Sequence, residues 1–225
     1  MSEKILMIET STECCSVALA DGTQILASRV NETPRQHAAQ LVPYVQEVLN
    51  ESGVPADRLD AVAVSEGPGS YTGLRVGVST AKGICFGAGL PLIGIDTLEI
   101  LARQAEGHPD RIIAMLDARR MEVYAAPFDR AGNKLGETQA VILDAASYQE
   151  ALEAGTVLFI GTGAAKFQAV CQHPNARFQP CFPLAAAMVR PALAALQKKE
   201  FNDVAYFEPF YLKEFVAGTS RKSVL

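Results

Sequence analysis

The chain has 225 residues, 49% of them hydrophobic and 20% charged, with a formal net charge of −5. That composition excludes a disordered chain and supports a sizeable core, in one large domain or two small ones. The acidic balance argues against gripping nucleic acid alone, since such binding rests on Lys and Arg neutralising phosphates, and leaves open binding shared with a basic partner.

Five cysteines, Cys14, Cys15, Cys85, Cys171 and Cys181, give an odd number and no C-x-x-C spacing. No apolar run reaches the roughly 20 residues of a membrane span. The opening M-S-E-K lacks the pattern of a secretory leader. The expectation is a soluble, cytoplasmic protein whose thiols stay reduced.

In chain order, Lys4–Thr10 reads as a buried strand, Ser16–Ala20 as a second, and Asp21-Gly22 as a tight turn into a third over Gln24–Val30. A helix start follows: Thr33 as N-cap, Pro34 at the first position and Gln36 completing a capping box. Ala38, Leu41, Val42, Val45, Val48 and Leu49 recur at helical spacing up to Gly53. Ala61–Val64 is a strand, Gly67-Pro68-Gly69 a turn, and Ser70 a cap for the next helix. That helix carries Gly73, Gly77, Gly83 and Gly87, each costing about 1 kcal/mol against alanine. On a helical wheel they share a side with Val76 and Thr80, whereas Leu74, Val78, Ala81 and Cys85 form a second, apolar side. Arg75, Ser79, Lys82 and Phe86 line a third. Close approach of another backbone is the expected compensation for the glycines.

Pro91–Ile95 is a further strand, and Asp96 with Glu99 opens a helix expected to stop near Gly107. After His108-Pro109-Asp110 the order restarts. Arg111–Asp117, Glu122–Phe128 and Gln139–Leu143 read as strands, Ala145–Glu153 as a helix, Thr156–Ile160 as a strand and Thr162–Val170 as a helix. Leu184–Lys199 reads as a helix disturbed by Pro191. Aromatic residues crowd Phe201–Lys213, which is expected to pack back across the body, and Glu214–Leu225 reads as a loose tail. Each half opens with an apolar strand ending in an acid, Glu9 or Asp117, and then turns back. The pattern predicts an α/β chain of two lobes with duplicated β-β-β-α-β-α units and mixed sheets, the actin/sugar-kinase/Hsp70 architecture. The expected division is an N-terminal lobe over 1–107, a C-terminal lobe over 108–213 and a tail over 214–225.

Catalytic machinery is hard to find. The two strand-one turns, Thr10–Cys15 and Ala118–Met121, contain no glycine to bring backbone N–H groups onto a phosphate. There is no G-x-x-x-x-G-K-[ST] loop and no G-x-G-x-x-G. Gly161-Thr162-Gly163-Ala164-Ala165 could accept an anion or an adenine at a helix start, but reads first as a plain strand-to-helix turn. His37, His108 and His173 are far apart, and Leu41 stands where a second metal-binding histidine on the His37 helix would fall. G-P-G-S-Y is not the G-x-S-x-G elbow. Thr10, Ser11 and Arg119 remain as candidate anion contacts.

I-L-M-I-E-T-S-T-E-C-C-S-V-A-L, the R-Q-H of 35–37, G-P-G-S-Y-T-G-L-R-V-G, the following T-A-K-G, and L-D-A-R-R-M-E-V-Y together resemble the bacterial TsaB (YeaZ) family. The resemblance spans Ile5 to about Tyr124 and continues more loosely to the end. It implies the two-lobed fold and a part in making threonylcarbamoyladenosine in tRNAs reading codons that begin with A. It further implies a non-catalytic paralogue required for the transfer activity of TsaD, with no cofactor of its own and with ATP and metal on partner subunits. TsaD is the implied direct partner, TsaE joins the complex, and tRNA is contacted through it. A homodimer through the same helices is a further reading, and an ATP-dependent transferase or metallopeptidase of this fold is the alternative. The family pairs with TsaD through the first two helices of the N-terminal lobe. Carried onto this chain, the interface residues are His37, Gln40, Tyr44 and Val48 on one helix, and Tyr71, Gly73, Leu74, Arg75, Gly77, Val78, Thr80 and Gly83 on the other. The glycines lead to the expectation that Gly77→Leu abolishes partner binding and leaves the fold largely intact.

Overall fold

The computed structural model describes residues 3–212. The expected tail over 214–225 lies outside the described residues. Two five-stranded sheets form the frame. The first is built from β1 (Lys4–Glu9), β2 (Cys15–Asp21), β3 (Gln24–Asn31), β4 (Ala61–Gly67) and β5 (Leu92–Asp96), in the order β3-β2-β1-β4-β5. The second uses β6 (Arg111–Asp117), β7 (Glu122–Phe128), β8 (Gln139–Ile142), β9 (Val157–Ile160) and β10 (Ala176–Gln179), in the order β8-β7-β6-β9-β10. Both sheets therefore repeat one plan. The first strand of each pairs antiparallel with the second and parallel with the fourth. This is the duplicated, mixed-sheet architecture expected from the element order.

Alternation along β1 assigns the faces. Leu6 and Ile8 join a core with Leu41, Val45 and Val48 of α1 (His37–Ser52) and Val78, Ala81 and Cys85 of α2 (Tyr71–Ala88). Ile5 and Met7 face the other way. They meet Met188, Ala192 and Leu193, from a 3₁₀ turn over Ala185–Met188 and from α6 (Val189–Lys198). The C-terminal stretch thus crosses back onto the first sheet. α3 (Thr97–Ala102) lies between the sheets: Ile100 joins Ile5 and Met7 on their side of the first sheet, and Leu98 and Leu101 join the core of the second. α4 (Gln149–Ala154) and α5 (Ala164–Gln168) cover the outer face of the second sheet through Leu152, Ala164 and Phe167. Lys134, in the loop after β7, reaches Asp96 at 2.5 Å and so ties the lobes together.

Several boundaries differ from the sequence reading. The Thr33/Gln36 capping box does not form. Arg35 has a φ of 64°, so 33–36 make a turn, and α1 starts at His37 with no side-chain cap on its N–H groups. Ser70 does cap α2, its Oγ accepting from Gly73 N–H. Asp96 caps α3 by accepting from Leu98 N–H at 2.7 Å, while Glu99 turns to Arg103 instead of closing the box. α3 ends at Ala102, well before Gly107. The long helix expected over 184–199 is split, with a 3₁₀ turn leading into α6 and Pro191 inside its first turn.

Candidate functional site

The strand-one turns of the two lobes face each other across a cleft of about 980 Å³. Ser11, Thr12 and Glu13 line it from the first lobe, and Asp117, Ala118 and Arg119 from the second. Tyr71, Tyr124, Phe182 and Tyr211 add aromatic wall. The starts of α1 and α2 also open onto it, through Ala38 and Thr72.

Behind the first turn lies Glu9, fully buried at the end of β1. One carboxylate oxygen accepts from Ser11 N–H at 2.6 Å. Burial pushes this carboxyl up to about 7, against the opposing pull of the Ser11 and Ser65 hydroxyls and nearby backbone N–H groups. Thr10 Oγ1 completes no hydrogen bond among the described residues. The same burial, with Glu9 nearby, pushes the Cys14 thiol up to about 12 and the Cys15 thiol up to about 11. These are inert packing thiols.

Of the three candidate anion contacts, the cleft brings Ser11 and Arg119 together and leaves Thr10 out. The Thr10 side chain is buried against α2: a Cβ at Gly77 would strike its Oγ1, and one at Gly73 would strike its carbonyl oxygen. The carbonyl of Ser11 likewise presses on Gly69 and accepts from Ser70 N–H at 2.6 Å. The close approach inferred from the helix glycines is real for this pair, and the neighbour is the chain's own β1–β2 turn. Gly83 and Gly87 have nothing within 4 Å of an added Cβ.

The candidate interface residues divide accordingly. Val48, Gly73, Leu74, Gly77 and Val78 are buried within the first lobe and present no surface, which corrects their assignment to an interface. Val48, Leu74 and Val78 were misplaced because the sheet, not a partner, takes the apolar stripe of each helix. His37, Gln40, Tyr44, Tyr71 and Thr80 are half-buried, and Arg75 and Gly83 are exposed. His37 Nε2 lies 3.2 Å from the carbonyl oxygen of Cys14, and the Thr80 hydroxyl donates to Val76 O within its own helix. Arg75 is engaged inside the chain: its Nε donates to the Tyr211 hydroxyl at 3.1 Å and its guanidinium stacks 4.3 Å from the Tyr71 ring.

That contact belongs to a strap over 201–212, the aromatic stretch expected to pack back across the body. Asn202 pairs with Leu92 on edge strand β5, and Lys82 donates to the carbonyls of Ala205 and Phe207. Phe210 N–H bonds Glu66 O, and Tyr211 stacks on Tyr71 at the cleft mouth. The strap covers a sheet edge and occupies the Arg75–Lys82 side of α2.

Across α1 and α2 the outward sides stay open. The helices lie on one face of the first sheet and touch each other, so their outer sides form one surface. Val42 is 60% exposed and Phe86 is 86% exposed, with Ala39, Pro43, Ser79, Gly83 and Gly87 exposed around them. Among the described residues no group of three His, Cys, Asp or Glu side chains is placed to hold a metal ion, and no helix is long and apolar enough to cross a membrane.

Comparison with known proteins gives the same fold and a family. A model of the family described as TsaD, tRNA N6-adenosine threonylcarbamoyltransferase, matches residues 24–221. The tRNA threonylcarbamoyladenosine biosynthesis protein TsaB of Escherichia coli K12 is 34% identical over 224 residues, covering 95% of this chain and 96% of that one. The chain belongs to the TsaB (YeaZ) family. YeaZ from Pseudomonas aeruginosa superposes with a TM-score of 0.82 at 30% identity, over 93% of this chain and all of that one. An activator of 2-hydroxyisocaproyl-CoA dehydratase from Clostridium difficile, solved with ADPNP, shares the fold alone, at a TM-score of 0.50 and 9% identity over 89% of this chain and 98% of that one. The motif stretches behind the resemblance fall on the cleft and its supports: E-T-S-T on the first turn, G-P-G-S-Y-T-G on the start of α2, and L-D-A-R-R on the second turn.

Proposed function

We propose that this chain is a non-catalytic docking subunit of a TsaD-type threonylcarbamoyltransferase, acting in the formation of threonylcarbamoyladenosine on tRNA. A TsaE-type ATPase joins the assembly, and tRNA is held through the complex. ATP and metal belong to the partner subunits.

The observation that carries this reading is the open face of α1 and α2. A helix with two glycines that touch nothing, next to an exposed phenylalanine and an exposed valine, is a surface shaped for close contact and left without one. Small residues there let a partner helix approach with its backbone, and Phe86 supplies apolar area at the edge. The cleft supports the reading from the other side. It presents hydroxyls and carboxylates where a phosphotransferase of this shape would need glycine-rich turns.

Co-expression with the TsaD-type transferase and the TsaE-type ATPase tests it. Threonylcarbamoylation of tRNA is expected to depend on this chain, and the chain is expected to co-purify with the transferase. Val42→Glu and Gly83→Arg place charge in the open face at positions that carry no core contact. Each is expected to weaken capture of the transferase at least tenfold, a loss of about 1.4 kcal/mol or more, without changing the melting temperature of the chain alone. Undiminished capture by both variants would sink the docking reading. A homodimer through this face, seen with the transferase absent and lost in the same variants, would support the use of the surface.

A further inference from the structure

The end of the second sheet away from the cleft carries a separate hollow of about 400 Å³. α3 stops at Ala102, and the irregular chain that follows, up to the start of β6, forms one wall. Edge strand β10 forms the other. Arg177 lies opposite Leu158 in the parallel β9–β10 pair, and Gln179 lies opposite Ile160, so both polar side chains share the sheet face of two core residues. Gln179 fixes the walls to each other. Its Oε1 accepts from Glu106 N–H at 3.0 Å, and its Nε2 donates to Gln104 O at 3.0 Å. Leu158 and Pro109, both buried, give the hollow an apolar floor.

The charges on the two walls are opposite and unpaired. Arg177 Nη1 donates to the carbonyl oxygens of Pro174 at 2.6 Å and Ala176 at 2.9 Å, which orients the guanidinium and leaves Nε and Nη2 open. Glu106 stands on the other wall, and among the described residues neither it nor Arg177 has an ion-pair partner. A simple carboxylate bound here would meet Glu106, and a simple amine would meet Arg177. A molecule carrying both groups satisfies both walls at once. The volume lies at the low end for small-molecule sites, roughly 300–1,000 Å³, and suits a compact ligand.

We propose that this hollow binds a free α-amino acid with an apolar side chain, its carboxylate on Arg177, its ammonium on Glu106 and its side chain over Leu158 and Pro109. Both charged heads are exposed, so water screens each contact and the dissociation constant is on the order of 1 mM. The hollow shares no residue with the interlobe cleft or with the open face of α1 and α2.

Titration of the full chain with L-leucine, followed by backbone amide NMR shifts, tests the assignment. Saturable shifts are expected at Glu106, Gly107, His108, Arg177 and Gln179, and none at the 117–120 turn. N-acetyl-L-leucine lacks the ammonium and L-leucine methyl ester lacks the carboxylate, so each should bind about tenfold more weakly. Glycine, with no side chain for the floor, should also bind more weakly than leucine. Arg177→Ala and Glu106→Gln should each weaken leucine binding about tenfold. Arg190→Ala, exposed on α6 and outside the lining, should leave it unchanged. No saturable shift at leucine concentrations about tenfold above the expected constant overturns the proposal, as does binding that survives both hollow variants. Equal binding of either derivative overturns the two-ended recognition, and equal binding of glycine overturns the role of the floor. Arg177→Ala is expected to leave capture of the transferase unchanged, so the docking role and this site fail separately.

Discussion

The two ends of α2 carry two glycines each, and they do opposite work. Gly73 and Gly77 are buried, with the carbonyl and hydroxyl of Thr10 occupying the space where side chains would go. Gly83 and Gly87 are exposed and face empty space. Within one helix, the same residue type serves the fold at one end and is unexplained by the fold at the other. Glycine in a helix interior loses about 1 kcal/mol against alanine. The first pair offsets that by letting the β1–β2 turn sit directly on the helix. The second pair has no such return inside the chain, so its explanation lies with whatever meets the helix from outside.

The largest break in this comparison is expected at Gly73. Gly73→Val drives a branched side chain into a backbone carbonyl, which cannot rotate away. It should cost more than about 4 kcal/mol, or leave no soluble protein, in urea unfolding followed by circular dichroism. A loss under about 1 kcal/mol would mean that the turn slides freely. The expectation that Gly77→Leu spares the fold is reversed by the same contacts: it overpacks the lobe and is a stability variant, not an interface probe.

Glu9 comes next, because it braces the turn that seats the buried pair. Its carboxyl sits at about 7 when folded, against an ordinary value of 4.5. The folded state therefore holds the proton more tightly. The stabilising term is complete below about pH 4.5 and is lost as pH rises through 7, a swing of about 3 kcal/mol. Glu9→Gln removes the ionisation. Its stability relative to the parent chain should improve from pH 5 to about pH 7 and level off above it, read as paired urea midpoints. Parallel pH profiles for the two chains would show that Glu9 is not titrating in this window.

A smaller effect is expected at Gly77, where the obstacle is a hydroxyl at the end of a side chain. Gly77→Ala should cost about 1–3 kcal/mol. Thr10→Ala clears the space, so the double variant should recover about 1–2 kcal/mol of that cost in a double-mutant cycle. Additive losses would place the clash elsewhere.

Much of this frame is legible in the sequence. The apolar runs K-I-L-M-I-E and R-I-I-A-M-L-D mark the central strands, Ser70 and Asp96 mark helix starts, and the repeated order gives two lobes of one plan. What is not legible depends on distance along the chain. β10 is four residues between Pro174 and Pro180, and only parallel pairing with β9 makes it a strand. The Thr33 capping box is locally plausible, but the chain spends those residues on a turn that carries Arg35 to the cleft. A helical wheel places Gly73, Gly77, Gly83 and Gly87 on one side because it discards position along the axis. That axis is where they differ: the turn reaches the first two and not the last two. Likewise, Arg75 reads as free surface until the strap, more than 130 residues later, brings Tyr211 to it.

The smallest expected effect is also the sharpest test of the contrast. Gly83→Ala and Gly87→Ala should each raise stability, by up to about 1 kcal/mol at Gly83 and by less at Gly87, which sits in the last turn where the helix frays. Thermal melts of the single variants read this directly. If either variant is destabilised, the open end of α2 has an intramolecular contact and the contrast with Gly73 fails. If both are stabilised, the fold alone does not account for these glycines, and capture of the transferase becomes the deciding measurement. A methyl group that strengthens the helix and weakens capture is the signature of a glycine kept for an external backbone. A methyl group that strengthens the helix and leaves capture unchanged moves the contact to Val42 and Phe86, where Val42→Glu and Phe86→Glu would then carry the whole effect.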